Sequence, residues 1–261
     1  MPFTLSHTVL VPVFHYASRR QLPIAALAIG CMIPDLSRLF TNLDVHFSHQ
    51  WASLISSNLI LGLLFCLLWY RLYRPVLYIF LKLDDPILLP TTASMLVFIW
   101  ACTLSIIFGA ASHILWDGVT HADFRTFMFK DALQQSYFIL GQDYPLHFIL
   151  QISSSAIALP MVCWLCYRYI QAHQQPQYFI ENTLRYALIL TLCAICAGSI
   201  YAATFLMSCS QAQWQHHLYW LTGVSINYFF RAFLVTWSIG CLIFLKRKKY
   251  QTALNRYRGA R

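Results

Sequence analysis

Apolar residues in this chain come in long unbroken runs and do not alternate with polar ones. Runs near residues 21–40, 52–70, 92–116, 146–169, 184–207 and 228–245 each approach the ~20 residues a helix needs to cross a bilayer. A shorter run, 5–17, contains Pro12 and predicts a kinked span or a re-entrant helix. Residues 74–89 interleave apolar side chains with Lys82, Asp84 and Asp85, the pattern of a segment lying on the membrane surface. A transmembrane β-barrel requires a period of two, and none is present. The pattern predicts an all-α polytopic bundle with six to seven membrane-embedded helices. Trp51, Tyr70, Tyr73, Trp116, Tyr144 and Tyr169 fall at the expected ends, where amphipathic rings settle at the headgroup level.

Composition strengthens this picture. Charged residues make up 10% of the chain and hydrophobic ones 59%, whereas soluble domains carry about 25% charged residues. The first basic residues, Arg19 and Arg20, follow the first apolar run, so the expectation is a retained segment, not a cleaved signal peptide. Two CxxC pairs, Cys163/Cys166 and Cys193/Cys196, lie in apolar runs, where cysteine acts as a small hydrophobe. We expect one transmembrane domain, 1–245, and a basic tail, 246–261.

The net charge of +9 is concentrated, with seven of 18 basic residues in the last 16 positions. Such a tail suits anionic lipid at a cytoplasmic face, not nucleic acid. With the tail inside, counting segments backwards puts 14 basic residues on the cytoplasmic side and four (Arg38, Arg125, Lys130, Arg231) outside. The same count brings His7, Asp35, His49, His113, Asp117 and His121 to the extracytoplasmic face of an inner (plasma) membrane.

The densest polar signal is SHILWDGVTHADF, residues 112–124. His113, Asp117 and His121 recur every four positions, which on a helix places them on one face, each about 40° beyond the last. A carboxylate at mid-bilayer costs about 2.5–3.5 kcal/mol even on the gentler insertion scales, so Asp117 needs partners. Asp35 after Pro34, the loop histidines His46 and His49, and His7 provide candidates. Imidazole with carboxylate suits zinc, manganese or iron, held as one ion or as a pair. His147, which begins a span close to the same face, is a further candidate. Gly109, Ala110 and Ala111 would let another helix come close. The alternative is a set of polar groups that only tie helices together or sit among headgroups.

MPFTLSHTVLVPVF, LPIAALAIGCMIPDLSRLF and GAASHILWDGVTHADF, in that order, resemble the DUF4184 family of bacterial membrane proteins, as does the later YPLHFILQISSSAIAL. The resemblance implies an integral membrane protein. A more remote similarity, to inner-membrane proteins described as metal-dependent hydrolases, implies His7, Asp35, His49, His113, Asp117 and His121 as ligand candidates. In the expected mechanism His7, Asp35, His113, Asp117 and His121 hold the ion. His49 or Asp123 would then be the catalytic base. HFSHQW departs from the family's cleaner His-Thr or His-Ser turn and leaves His46 and His49 as alternatives. The expected function is a metal-dependent hydrolase of a lipid or membrane-associated (phospho)ester. A proton- or ion-coupled transporter and a non-enzymatic membrane protein are the alternatives.

Overall fold

A computed structural model of the protein describes residues 4–40, 45–139, 141–175 and 181–259. A 3-10 turn, Thr4–Leu10, leads into α1 (Val11–Ala17), α2 (Ile24–Phe40) and α3 (Val45–Ser48). A second 3-10 turn, Trp51–Ile55, precedes α4 (Ser57–Leu68), a π turn (Trp69–Tyr73) and α5 (Arg74–Leu81). After α6 (Thr92–Thr120) and α7 (Lys130–Gln134) come an antiparallel hairpin, β1 (Ser136–Ile139) with β2 (Gln142–Pro145), and α8 (Leu146–His173). The chain ends with α9 (Glu181–Met207), α10 (Gln211–His216) and α11 (Leu218–Gly259).

Five helices among the described residues are long and apolar enough to cross a membrane: Ser57–Leu81, Thr92–Thr120, Leu146–His173, Asn182–Met207 and Leu218–Lys248. Their outward faces carry exposed Val97, Trp100, Ile157, Ile189 and Leu192. So much contiguous apolar surface is not tolerated in water. The protein is an integral membrane protein.

The chain divides into two compact units, Met1–Leu67 with Pro86–Ala172, and Leu68–Asp85 with His173–Arg261. In the first, α2 packs along α6 because small residues meet at the crossing. A Cβ on Gly30 would stand 2.6 Å from the Ile106 carbonyl oxygen, and one on Gly109 2.6 Å from the Leu27 carbonyl oxygen and the Cys31 nitrogen. Val11, Leu27 and Cys31 complete a small core under α1. In the second unit α9 and α11 pair, and Leu72, Val76, Phe80, Leu190 and Cys241 are buried together. The Tyr186 hydroxyl donates to the Gly240 carbonyl at 2.7 Å.

Several boundaries depart from the sequence expectation. The first segment is a 3-10 turn followed by the seven residues of α1, with Pro12 at the helix start, where its missing N–H costs nothing. Helix α2 has 17 residues and at 1.5 Å per residue reaches about 25 Å, short of the ~30 Å core. The supposed surface segment is helical through Leu81 and continues the apolar run before it. It stops where Lys82 takes a left-handed conformation, φ 55°. Arg231, expected near the start of a span, lies well inside α11, which begins at Leu218. The basic tail extends α11 to Gly259, and its side chains from residue 249 onward lie outside the described part. The hairpin was not anticipated.

Candidate metal centre

Helix α6 begins with a capping box, in which Thr91 and Ser94 each accept the other's backbone N–H at 3.1 Å. Its 29 residues reach about 43 Å, longer than the hydrocarbon core. Asp117, in the last turn, therefore falls toward a headgroup region and not at mid-bilayer. His113 and Asp117 share one face as the i,i+4 spacing requires, Nε2 to Oδ2 3.5 Å, and both are buried.

The Gly30–Gly109 crossing aligns the C-terminal end of α2 with the same end of α6 and brings in Asp35. Its Oδ2 lies 3.9 Å from His113 Nε2 and accepts a hydrogen bond from Thr4 Oγ1 at 2.9 Å. The 3-10 turn buries His7, whose ring stacks on His113 at 3.8 Å and whose Nε2 is 3.7 Å from Asp117 Oδ1. His49 enters from the loop after α3, with Nε2 3.6 Å from Asp35 Oδ1 and 3.5 Å from Asp117 Oδ2.

A buried polar layer fixes these rings. His113 Nδ1 lies 2.8 Å from the Cys31 carbonyl oxygen. A carbonyl can only accept, so Nδ1 carries a proton and Nε2 is the ring atom that faces the carboxylates. Ser48 Oγ is 3.0 Å from His49 Nδ1. The Ser48 carbonyl accepts from Ser53 Oγ at 2.9 Å and from Asn58 Nδ2 at 2.8 Å, which ties the His49 loop to the start of α4.

The nitrogen–oxygen separations of 3.5–3.9 Å exceed a hydrogen bond. They approach the edge of a tetrahedral site, where ligands 2.0–2.2 Å from an ion stand about 3.3–3.6 Å apart. Two triads, His7–Asp35–His113 and His49–His113–Asp117, have ligand atoms all within 4.8 Å of one another. Both use His113 Nε2, and one imidazole lone pair binds one ion, so the geometry suits a single ion better than two. Nε2 of His7 and of His113 are buried without a hydrogen-bond partner, a costly condition that an ion would relieve.

The remaining candidates lie at the edge or outside. His121 is the C-cap of α6, in extended conformation, with Nδ1 3.5 Å from Asp117 Oδ1 and 3.3 Å from both Thr120 Oγ1 and the Asp117 carbonyl. Burial, opposed by the Asp117 charge, lowers its pKa to about 4. Asp123 is half exposed and held by Arg125 through Nη2 at 2.6 Å and Nε at 3.0 Å. Burial pushes its carboxyl up, but the Arg125 bonds outweigh that and leave it below the ordinary range. Such a clamped carboxylate is a poor base. His46 stacks on Phe124 at 3.6 Å and belongs to neither triad. His147 Nδ1 lies 3.5 Å from Gln151 Nε2 and belongs to neither triad. Both CxxC pairs face outward and form no disulfide.

Sequence reasoning missed the arginines. Arg125 Nη1 donates to Asp117 Oδ2 at 3.0 Å, and Arg38 Nη2 lies 3.4 Å from Asp35 Oδ1. Asp35 thus has Arg38 beside it, and Asp117 shares Arg125 with Asp123. Arg38 follows Asp35 by three residues, a helical spacing that could have flagged it. Arg125 reaches back from a coil, which no period encodes.

No curated protein and no solved structure matches the chain. A family model does, the domain of unknown function DUF4184, over residues 1–243. With nearly the whole chain and the entire His/Asp cluster inside that match, the protein belongs to the DUF4184 family.

Proposed function

We propose that the protein is a membrane-embedded, metal-dependent hydrolase of a lipid or membrane-associated phosphoester. One observation carries the reading: three imidazoles and two carboxylates from four separate segments converge at ligand spacing around His113 Nε2. A divalent ion held there would act as a Lewis acid and supply a water that ionises near pH 7.

The residues themselves supply the rest. His113, fixed by the Cys31 carbonyl, and Asp117 form the rigid side of the site. His7, Asp35 and His49 close it. His121, 3.5 Å from Asp117, would orient that carboxylate; with its pKa pushed down to about 4 by burial it is too weak a base to hold the proton of the attacking water. Arg38 and Arg125 favour a phosphoester over a carboxylic ester, because guanidinium matches phosphate oxygens in a planar fork. With a dication bound, the pocket would be net positive even with Asp123 counted, and so complementary to a phosphate.

Clustering at one helix end also supports an enzyme over a transporter, whose ionisable groups would be strung along a path. The charge bias supports a plasma-membrane protein with its tail in the cytoplasm against anionic lipid, and this site on the opposite face. The decisive measurement is elemental analysis of protein purified without a metal-binding tag. Wild type should hold about one equivalent of zinc, manganese or iron, and Asp117→Asn should lose it at least about tenfold. Equally little metal in both would end the proposal.

A further inference from the structure

A groove of about 320 Å³ begins at His7, one member of the cluster, and lies on the flank of the first unit. His7 and Leu10 of the 3-10 turn form one wall, Ser112 and Trp116 of α6 the floor, and Ile157, Ala158 and Met161 of α8 the other wall. Ser112 and Trp116 are one turn apart, as are Ala158 and Met161, so two helix faces line it. Ile157 is 72% exposed and Met161 50%, which leaves the rim open on the side of membrane-length helix α8. Ile157 lies about 16 Å along α8 from its start, which carries the groove into hydrocarbon depth.

An apolar groove of this kind stays dry and is filled by hydrocarbon. Hydrocarbon alone gains little by leaving the bilayer for it, since lipid tails are as apolar as the groove wall. Selectivity must come from the polar end. There the indole Nε1–H of Trp116, on the same groove as the candidate ligand His7, is buried without a partner. An orphaned buried donor costs about 1–3 kcal/mol, and a phosphate or ester oxygen beside His7 would accept from it.

We infer that this groove receives one hydrocarbon chain of a phosphate-bearing membrane lipid and brings its head against His7, Trp116 and the carboxylate cluster. At ~30 Å³ per water-sized group, the cavity takes roughly ten chain atoms, one chain and not two. The inference names the substrate of the proposed hydrolase and rests on that reading for the reaction. The seating of the chain depends on the groove wall and the Trp116 N–H, which the metal does not supply.

The test is photolabelling of the purified full-length protein in nanodiscs of phosphatidylethanolamine and phosphatidylglycerol. The probe is lysophosphatidic acid with a diazirine in mid-chain. Peptides containing Leu10, Trp116 and Met161 should be labelled several-fold more than those containing the lipid-facing Ile189 and Leu192 of α9. Ala158→Trp, which fills the groove, should reduce that labelling to the α9 level while metal content stays at the wild-type value. If this variant does not fold, Met161→Trp at the open rim serves the same purpose. Uniform labelling, or labelling that persists in a folded groove-filled variant, overturns the proposal. Equal labelling of the groove by a diazirine fatty alcohol would overturn the role of the phosphate. Groove labelling in a wild-type protein without metal would sink the hydrolase and leave the groove standing.

Discussion

Asp117 has two claimants for its negative charge. Arg125 donates to Oδ2 at 3.0 Å, and the Asp117 side chain is only 2% exposed. Removing one partner of a buried pair costs about 3–5 kcal/mol. Arg125→Met should therefore destabilise chelator-treated protein strongly, while an added dication compensates. Melting temperatures with chelator and with zinc check this: the zinc-induced rise should be larger in Arg125→Met than in wild type. An unchanged increment would mean that Arg125 and the ion do not share Asp117. A second prediction concerns Asn58, fully buried and holding both Ser48 and Ser53. Asn58→Ala should loosen the His49 loop and weaken zinc binding by about tenfold, the usual effect of losing an outer hydrogen bond at a metal site. Competition against a zinc-binding dye measures it, and wild-type affinity would show that the loop holds its place without Asn58.

At the scale of elements, the site exists because α2 and α6 touch at Gly30 and Gly109. A methyl group at Gly109 meets backbone of α2 at 2.6 Å, which no rotamer change can relieve. Gly109→Ala should push the helices apart, cost about 1–3 kcal/mol by overpacking, and lower bound metal because Asp35 moves away from His113. Gly223, where a Cβ meets nothing within 4 Å, is the control: Gly223→Ala should keep metal and stability. Retained metal in Gly109→Ala would show that the crossing does not set the ligand distances. This crossing also marks what was legible. The pairing of His113 with Asp117 followed from a helical period, and the small residues before them announced a close neighbour without saying which helix. His121 shares that period, yet the helix ends at Thr120, and a repeat loses its meaning once the backbone leaves the helix. The choice of His49 over His46 depends on a loop conformation set by Ser48, Ser53 and Asn58, and Arg125 folds back from a coil. Neither leaves a periodic trace.

For the whole molecule, the distribution of basic residues and the position of the cluster make one joint prediction. The hairpin turn at Gly141, φ +85°, follows the end of α6 that carries the cluster. Three membrane-length helices, α8, α9 and α11, lie between that turn and the C-terminus. If each of the three crosses, the hairpin and the tail face opposite sides of the membrane. Lys246, Arg247, Lys248 and Lys249 directly follow the last apolar run, and such a basic cluster resists export. A fluorescent protein fused after Arg261 should therefore be bright and alkaline phosphatase fused there inactive. Phosphatase inserted at Gly141, an exposed loop tip suited to insertion, should be active. The reverse result would move the cluster to the cytoplasmic face, where its substrate would have to be a lipid of the inner leaflet. Equal activity at both positions would mean that one of the three helices does not cross, and α8, with Pro160 inside it, would be the first to examine.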